Sequence, residues 1–165
     1  MKRMISCIMA LLLLTGCAAI GNSSNINFYY PRAEFEYNSP DGAIDSEVRD
    51  HSGNTSTFSL LSLYLNGPLE VKFSNPFPAD VKLLSVYTVD DTLYITLSDE
   101  FASLSGSSLI LACACIGRTG MELSGAKEAK IQCSNLLLDG KSEIVVNDST
   151  VFYSDEQTEA QSEDH

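Results

Sequence analysis

The alternation of apolar and polar residues divides this chain into short strands, two helices and irregular joints. Ile26-Asn27-Phe28-Tyr29-Tyr30 is rich in strand formers and is stopped by Pro31. Ala33, Phe35 and Tyr37 alternate with Glu34 and Glu36, and they extend or follow that strand. Asn38-Ser39-Pro40-Asp41-Gly42 is a turn cluster. Ala43 to Asp50, with Ile44 and Val48 among charges, predicts a short strand. A helix follows, with Ser56 or Thr57 as its N-cap. Phe58, Leu61 and Leu65 fall at i, i+3 and i+7, and Leu60 and Tyr64 widen the apolar stripe. Asn66-Gly67-Pro68 ends it, because Gly accepts the left-handed position past a helix and Pro cannot continue one.

Glu70 to Ala79, with Pro76 and Pro78, reads as an irregular connection. Lys82 to Val89 and Thr92 to Ser98 predict two strands joined by a tight Asp90-Asp91 hairpin. In the second, Leu93, Ile95 and Leu97 form one face and Thr92, Tyr94 and Thr96 the other. Ser107 to Leu123 predicts a second helix. It is apolar throughout from Leu109 to Ile116, so it should be buried on most sides. Gly117 and Gly120 weaken its last turns by about 1 kcal/mol each relative to Ala. Lys127 to Cys133 alternates Ala129, Ile131 and Cys133 against Glu128, Lys130 and Gln132, a half-exposed strand. Glu143 to Val146, with or without Val151 to Tyr153, completes the pattern as an edge strand. No internal repeat is visible.

The first residues follow a different logic. Met1-Lys2-Arg3 is basic, Ile5 to Leu14 is mostly apolar, and Leu14-Thr15-Gly16-Cys17 closes the segment. This is the layout of a secretory signal peptide. Ten apolar residues are too few to span a bilayer core, which takes about 20 in a helix. Gly16 suits a peptidase that needs a small residue, and Cys17 suits a reaction that needs a thiol nucleophile. Leu14-Thr15-Gly16-Cys17 resembles the lipobox of bacterial lipoproteins. The resemblance implies that Cys17 is joined to a diacylglycerol and becomes the first residue after cleavage. Two acyl chains make a stable anchor where one is marginal. The expected organisation is a signal peptide over 1–16, the lipidated Cys17 with a short linker over 17–24, one domain over 25–153, and a tail over 154–165. Cell-membrane attachment on the extracytoplasmic face follows from the same motif.

Composition narrows the function. Cleavage before Cys17 removes sixteen of the 165 residues and leaves enough chain for one domain with a real core. The formal charge of −12 becomes −14 once Lys2 and Arg3 leave. With no basic stripe, nucleic acid is not an expected partner, and an anionic lipid surface would repel the chain. Five acidic residues lie between Asp155 and His165, so that stretch reads as a disordered, solvating tail. With Cys7 removed and Cys17 lipidated, Cys113, Cys115 and Cys133 remain. An odd count in an exported chain means at least one free thiol or an intermolecular bond. Small buried hydrophobes are the reading preferred for all three, while Cys133 paired to a helix cysteine stays open. On a helix Cys113 and Cys115 lie about 200° apart and face opposite ways, which disfavours a shared metal.

No catalytic constellation emerges. Hydrolytic triads need a histidine base or a substitute. Only His51, in a polar stretch, and His165, at the terminus, are available. Asp90-Asp91 and Asp99-Glu100 are adjacent carboxylates, and neighbours in turns point into water rather than across a gap. There is no phosphate loop, dinucleotide fingerprint or zinc spacing, and no cofactor or metal is expected.

Four segments stand in a distinctive order: Phe28-Tyr29-Tyr30-Pro31; Leu63-Tyr64-Leu65-Asn66-Gly67-Pro68 at a helix end; Phe77-Pro78-Ala79-Asp80-Val81-Lys82-Leu83 as a proline-led start of a strand; and Leu93-Tyr94-Ile95-Thr96-Leu97-Ser98-Asp99-Glu100-Phe101, a strand closed by Ser, two acids and Phe. Together they resemble the GerMN domain, named for sporulation and spore-germination proteins. The likeness covers roughly residues 26 to 133. It departs at Asp91-Thr92, where the family carries Asp-Gly, at the Cys- and Ala-rich second helix, and at the inserted Asn135-Leu136-Leu137-Leu138. It implies an α+β fold, a small mixed or antiparallel sheet with two helices packed on one face, of the ring-building-motif type. It also implies a non-catalytic module that binds other exported or membrane proteins or assembles with itself. The alternative is an envelope solute-binding or stress-related lipoprotein, which predicts a concave, aromatic-lined pocket of several hundred Å³.

Overall fold

The computed structural model describes residues 23–35, 42–52 and 55–149. The signal segment, the lipobox, the 38–41 turn and the acidic tail lie outside these residues. Two strands come first, β1 (Ser23–Pro31) and β2 (Ile44–Ser52), paired antiparallel as a separate two-stranded ribbon. β1 therefore takes in the last two residues assigned to the linker. Helix α1 (Thr57–Tyr64) follows; Ser56 caps it by accepting from the Ser59 amide at 3.2 Å. The chain turns at Gly67, whose φ of +94° a residue with a Cβ rarely adopts.

β3 (Leu83–Val89) and β4 (Thr92–Leu97) form the expected hairpin. Asp90 supplies the left-handed residue of its turn at φ +52°. A single 3₁₀ turn (Asp99–Ser103) leads into α2 (Gly106–Ser124), which ends on left-handed Gly125. β5 (Glu128–Cys133) then runs parallel to β4, and β6 (Ile144–Asn147) pairs antiparallel with β5. The second sheet has the order β3-β4-β5-β6. A parallel pair needs a long crossover, and α2 supplies it. Ile95 stands beside Ile131, Leu93 beside Ala129 and Leu97 beside Cys133. Those side chains form the inner face, and the alternation on β4 and β5 is buried where the sequence predicted.

The fold is the expected α+β arrangement, a mixed sheet with both helices on its inner face. The ribbon adds a third layer. Leu109, Ala112, Cys113 and Ile116 of α2 join the core against the sheet. Ala114 and Cys115 pack with Ile44 of the ribbon. This sandwich explains why α2 is apolar all round. It also places Cys113 and Cys115 on opposite sides of the helix, as their spacing predicted. Cys113, Cys115 and Cys133 are all buried free thiols.

Two expectations need correction. The spacing places Phe58 in the α1 stripe, but the residue is 42% exposed. Burial on this short helix begins at Leu60, so the first turn overhangs the core. Gly117 and Gly120, expected only to weaken the helix, are also where strands approach it. A Cβ at Gly117 would stand 2.9 Å from Val146 Cβ, and one at Gly120 would stand 2.6 Å from Leu93 Cδ2. Among the described residues no helix is long and apolar enough to cross a membrane.

Candidate interaction face

The residues singled out for chemistry do not converge. Leu14, Thr15, Gly16 and Cys17 lie outside the described residues, as does His165. His51 falls on β2 opposite Ser24, and its side chain is not described. Asp91 sits in the hairpin turn and pairs with Lys127, Oδ2 to Nζ 2.7 Å. Its carbonyl accepts from the Lys127 amide, which ties the β3–β4 turn to the start of β5. Asp99 Oδ1 accepts from the Asn135 amide at 3.2 Å, and exposed Glu100 begins the 3₁₀ turn with it. Both acidic pairs thus organise turns. Among the described residues no three His, Cys, Asp or Glu are grouped to hold a metal. Burial pushes the Cys113 thiol up to about 12 and the Cys115 thiol higher still, so neither is a nucleophile in the folded chain.

One buried charge was missed in the sequence. Glu47, on β2, is 1% exposed. Its Oε2 accepts from the Leu69 and Glu70 amides at 2.7 and 2.8 Å, and its Oε1 accepts from Arg49 Nε. Arg49 in turn donates to the Gly67 carbonyl at 2.9 Å and lies over the Phe28 ring, 4.9 Å from its centroid. Burial works to raise the Glu47 pKa and is the largest single influence. The Glu70 amide, Arg49 and the Leu69 amide together outweigh it and leave the carboxyl below its ordinary value. The pair clamps the loop after α1 onto the ribbon. Its signal in the sequence is Asp45, Glu47 and Arg49 on one strand parity, opposite Ile44 and Val48; Val48 turns out to be exposed. Aromatic rings finish the clamp: Tyr30 stacks on Tyr64 at 4.7 Å and its hydroxyl donates to the Tyr64 carbonyl at 2.8 Å.

A second polar cluster fastens the other side of the ribbon to α2. The Tyr29 amide donates to Thr119 Oγ1 at 3.0 Å, its hydroxyl donates to Glu122, and Arg118 lies over its ring at 4.3 Å. Burial, then the Glu122 hydrogen bond, push the Tyr29 phenol up to about 12, so it stays a donor at neutral pH.

The outer face of the four-stranded sheet is the surface left open. Register places Val145, Lys130, Tyr94 and Tyr87 in one row across all four strands. The Tyr87 and Tyr94 rings are stacked, 5.0 Å apart and 7° from parallel. Lys130 Nζ stands 5.7 Å from the Tyr94 centroid and 3.2 Å from Glu143 Oε1. Tyr87 and Val89 are each half exposed, with Leu84 and Val145 close behind. Sequence reasoning placed Tyr94 on the outer side but missed its partner. Tyr87 and Tyr94 are symmetric about the Asp90-Asp91 turn, which makes them cross-strand neighbours. Elsewhere, an open depression of about 320 Å³ is lined by Arg32, Ala33, Glu34, Asp45, Val71, Lys72 and Phe73. With one aromatic and a charged rim, it is not the aromatic-lined pocket a solute-binding protein would need.

The family model for sporulation and spore germination, Germane, matches residues 27–142. The chain belongs to the Germane family. No curated protein matches it. Two solved structures share the fold. The tandem GerMN domains of the sporulation protein GerM from Bacillus subtilis align with a TM-score of 0.54 at 18% identity, over 68% of this chain and 40% of that one. This Germane chain thus spans less than half of the tandem protein. The first GerMN domain of the same protein aligns with a TM-score of 0.54 at 15% identity, over 81% of this chain and 100% of that one.

Proposed function

We propose that this Germane protein is a lipid-anchored, non-catalytic assembly module on the extracytoplasmic face of the cell membrane, serving sporulation or spore germination. The observation that carries the reading is the open outer face of the four-stranded sheet. Large side chains stand exposed there on a four-stranded sheet, while the buried polar groups are committed to fastening the ribbon. An ordered surface of this kind favours a protein partner. The family matched is one of sporulation and germination proteins. Leu14-Thr15-Gly16-Cys17 supports the anchor, with Cys17 as the lipidated residue.

The test is photo-crosslinking in native membranes, with the probe at Tyr94 or Val145. The expected result is discrete crosslinked species to exported proteins or to a second copy. Recovery of the monomer alone at every stage of the life cycle would overturn the assembly reading. Cys17→Ala should abolish incorporation of labelled palmitate and release or strand the precursor; retained label would sink the anchor.

A further inference from the structure

We infer that the open edge of β3 receives an extended, cationic segment of a partner protein, which adds a fifth strand to the sheet. The inference deepens the assembly reading and rests on it. β3 is the outermost strand of the order β3-β4-β5-β6. From Leu84 to Val89 no residue is fully buried, and only Val86 packs against the core. Folded proteins blunt such edges with Lys, Pro or inward charges, because the unpaired amides and carbonyls template another strand. Leu83–Val89 reads Leu-Leu-Ser-Val-Tyr-Thr-Val and carries no Lys, Pro or charge; its register shifts once, between Leu83 and Ser85, and runs regularly from Ser85 to Val89. The opposite edge, β6, is only four residues long. The regular stretch Ser85–Val89 is long enough for strand addition, in which backbone pairing supplies affinity and alternate side chains supply selectivity.

The row across the sheet defines the selectivity. Lys130, Tyr94 and Tyr87 are consecutive in it, and Tyr87 is the last member before the edge. A strand added beside β3, at the usual spacing of about 4.8 Å, continues the row with a side chain against the outer side of the Tyr87 ring. An aromatic face attracts Arg or Lys, and Lys130 already stands over the Tyr94 ring from the other side. Two residues along lies Val89, next to Asp90 of the turn, while Asp91 is engaged by Lys127. A cation opposite Tyr87 and another near the turn therefore both find complementary partners. The chain's own charge of −12 opposes a second copy at this edge and favours a basic partner.

The experiment uses the full chain and a ten-residue peptide of alternating Arg and Val, with an alternating Glu and Val peptide as control. Amide hydrogen exchange should slow across residues 84–89 when the Arg peptide binds. Affinity should fall by roughly tenfold in Tyr87→Lys, which places a repelling charge at the edge. Absence of protection at 84–89, or equal binding of the Glu peptide, overturns the inference. So does protection that appears without peptide as chain concentration rises, because the edge then belongs to a second copy. In native membranes a crosslinker at Thr88 should capture the same partner as one at Tyr94. Crosslinks from Tyr94 with none from Thr88 overturn the edge and leave the assembly reading standing.

Discussion

Glu47 shows how much of this fold depends on single residues. A buried carboxylate is tolerated only when its oxygens are satisfied, and here two amides and a guanidinium do so. Glu47→Ala leaves Arg49 and both amides buried without their acceptor, and should cost about 3–5 kcal/mol in urea unfolding. The charge also sets a pH dependence. Because the folded pKa is depressed, the stabilisation is complete above the ordinary value of 4.5 and is lost as pH falls through the folded value. The stability gap between wild type and Glu47→Gln should therefore be widest near neutral pH and narrow in acid; a gap that stays constant would refute the account. The thiols give a second check at this scale. With Cys113 pushed up to about 12 and Cys115 higher, iodoacetamide should leave both unmodified in the folded chain and alkylate both after unfolding, read by mass spectrometry. Rapid native labelling of either would contradict their burial.

At the scale of elements, the helices and the strands of the larger sheet were legible because each obeys one periodicity and carries its own stop signal. Leu93, Ile95 and Leu97 alternate with polar residues, and so do Ala129, Ile131 and Cys133; both sets are buried. Gly125, left-handed at φ +74°, closes α2 two residues beyond the predicted Leu123. What was not legible depends on who the neighbour is. Phe58 keeps the spacing of the apolar stripe, but no core lies under the first turn of α1. Glu47 carries the polarity of a solvent-facing position, but the loop after α1 folds over it. Nothing local distinguishes Gly117 as a contact from Gly117 as a flaw. The contact can be tested. Gly117→Ala gains about 1 kcal/mol of helix propensity. It also forces Val146, whose branched Cβ cannot rotate away, to shift at an overpacking cost of about 1–3 kcal/mol. The expected outcome is a net loss of about 1 kcal/mol in thermal or urea unfolding, with β6 losing hydrogen-exchange protection first. A variant more stable than wild type would show that the approach of Val146 is not a constraint.

At the scale of the whole molecule, the layer order fixes at which end the chain enters the domain, and so which end the proposed Cys17 anchor would face. β1 runs antiparallel to α2: Asn27 donates to Glu122 near the end of the helix, and Ile44, paired to Pro31, packs with Ala114 and Cys115 in its middle. Ser23 therefore lies towards the C-terminal end of α2. The β3–β4 turn is at that end too, since the Lys127 amide donates to the Asp91 carbonyl, and so is Asn147 beside Glu128. The opposite end carries Pro31 and the Leu69–Phe73 loop, with Val71 almost wholly exposed. None of this was legible in the sequence, because the ribbon's docking on α2 depends on long-range contacts of Tyr29 and Ile44. With the proposed anchor, chain entry at Ser23 would place an acidic end, with Asp90, Asp91, Glu122, Glu128 and Asp148, towards the lipid. Nine strand residues at about 3.3 Å each separate it from the far end by roughly 30 Å. On vesicles bearing a headgroup acceptor dye, the lipidated chain labelled at Asp90→Cys should transfer energy more efficiently than the chain labelled at Val71→Cys. Like charges repel across water and salt screens them, so on anionic vesicles transfer from position 90 should rise with ionic strength. Equal transfer from the two positions would show that the domain does not hold this orientation on its tether. An ordering that ignores salt would remove the electrostatic stand-off and keep the orientation.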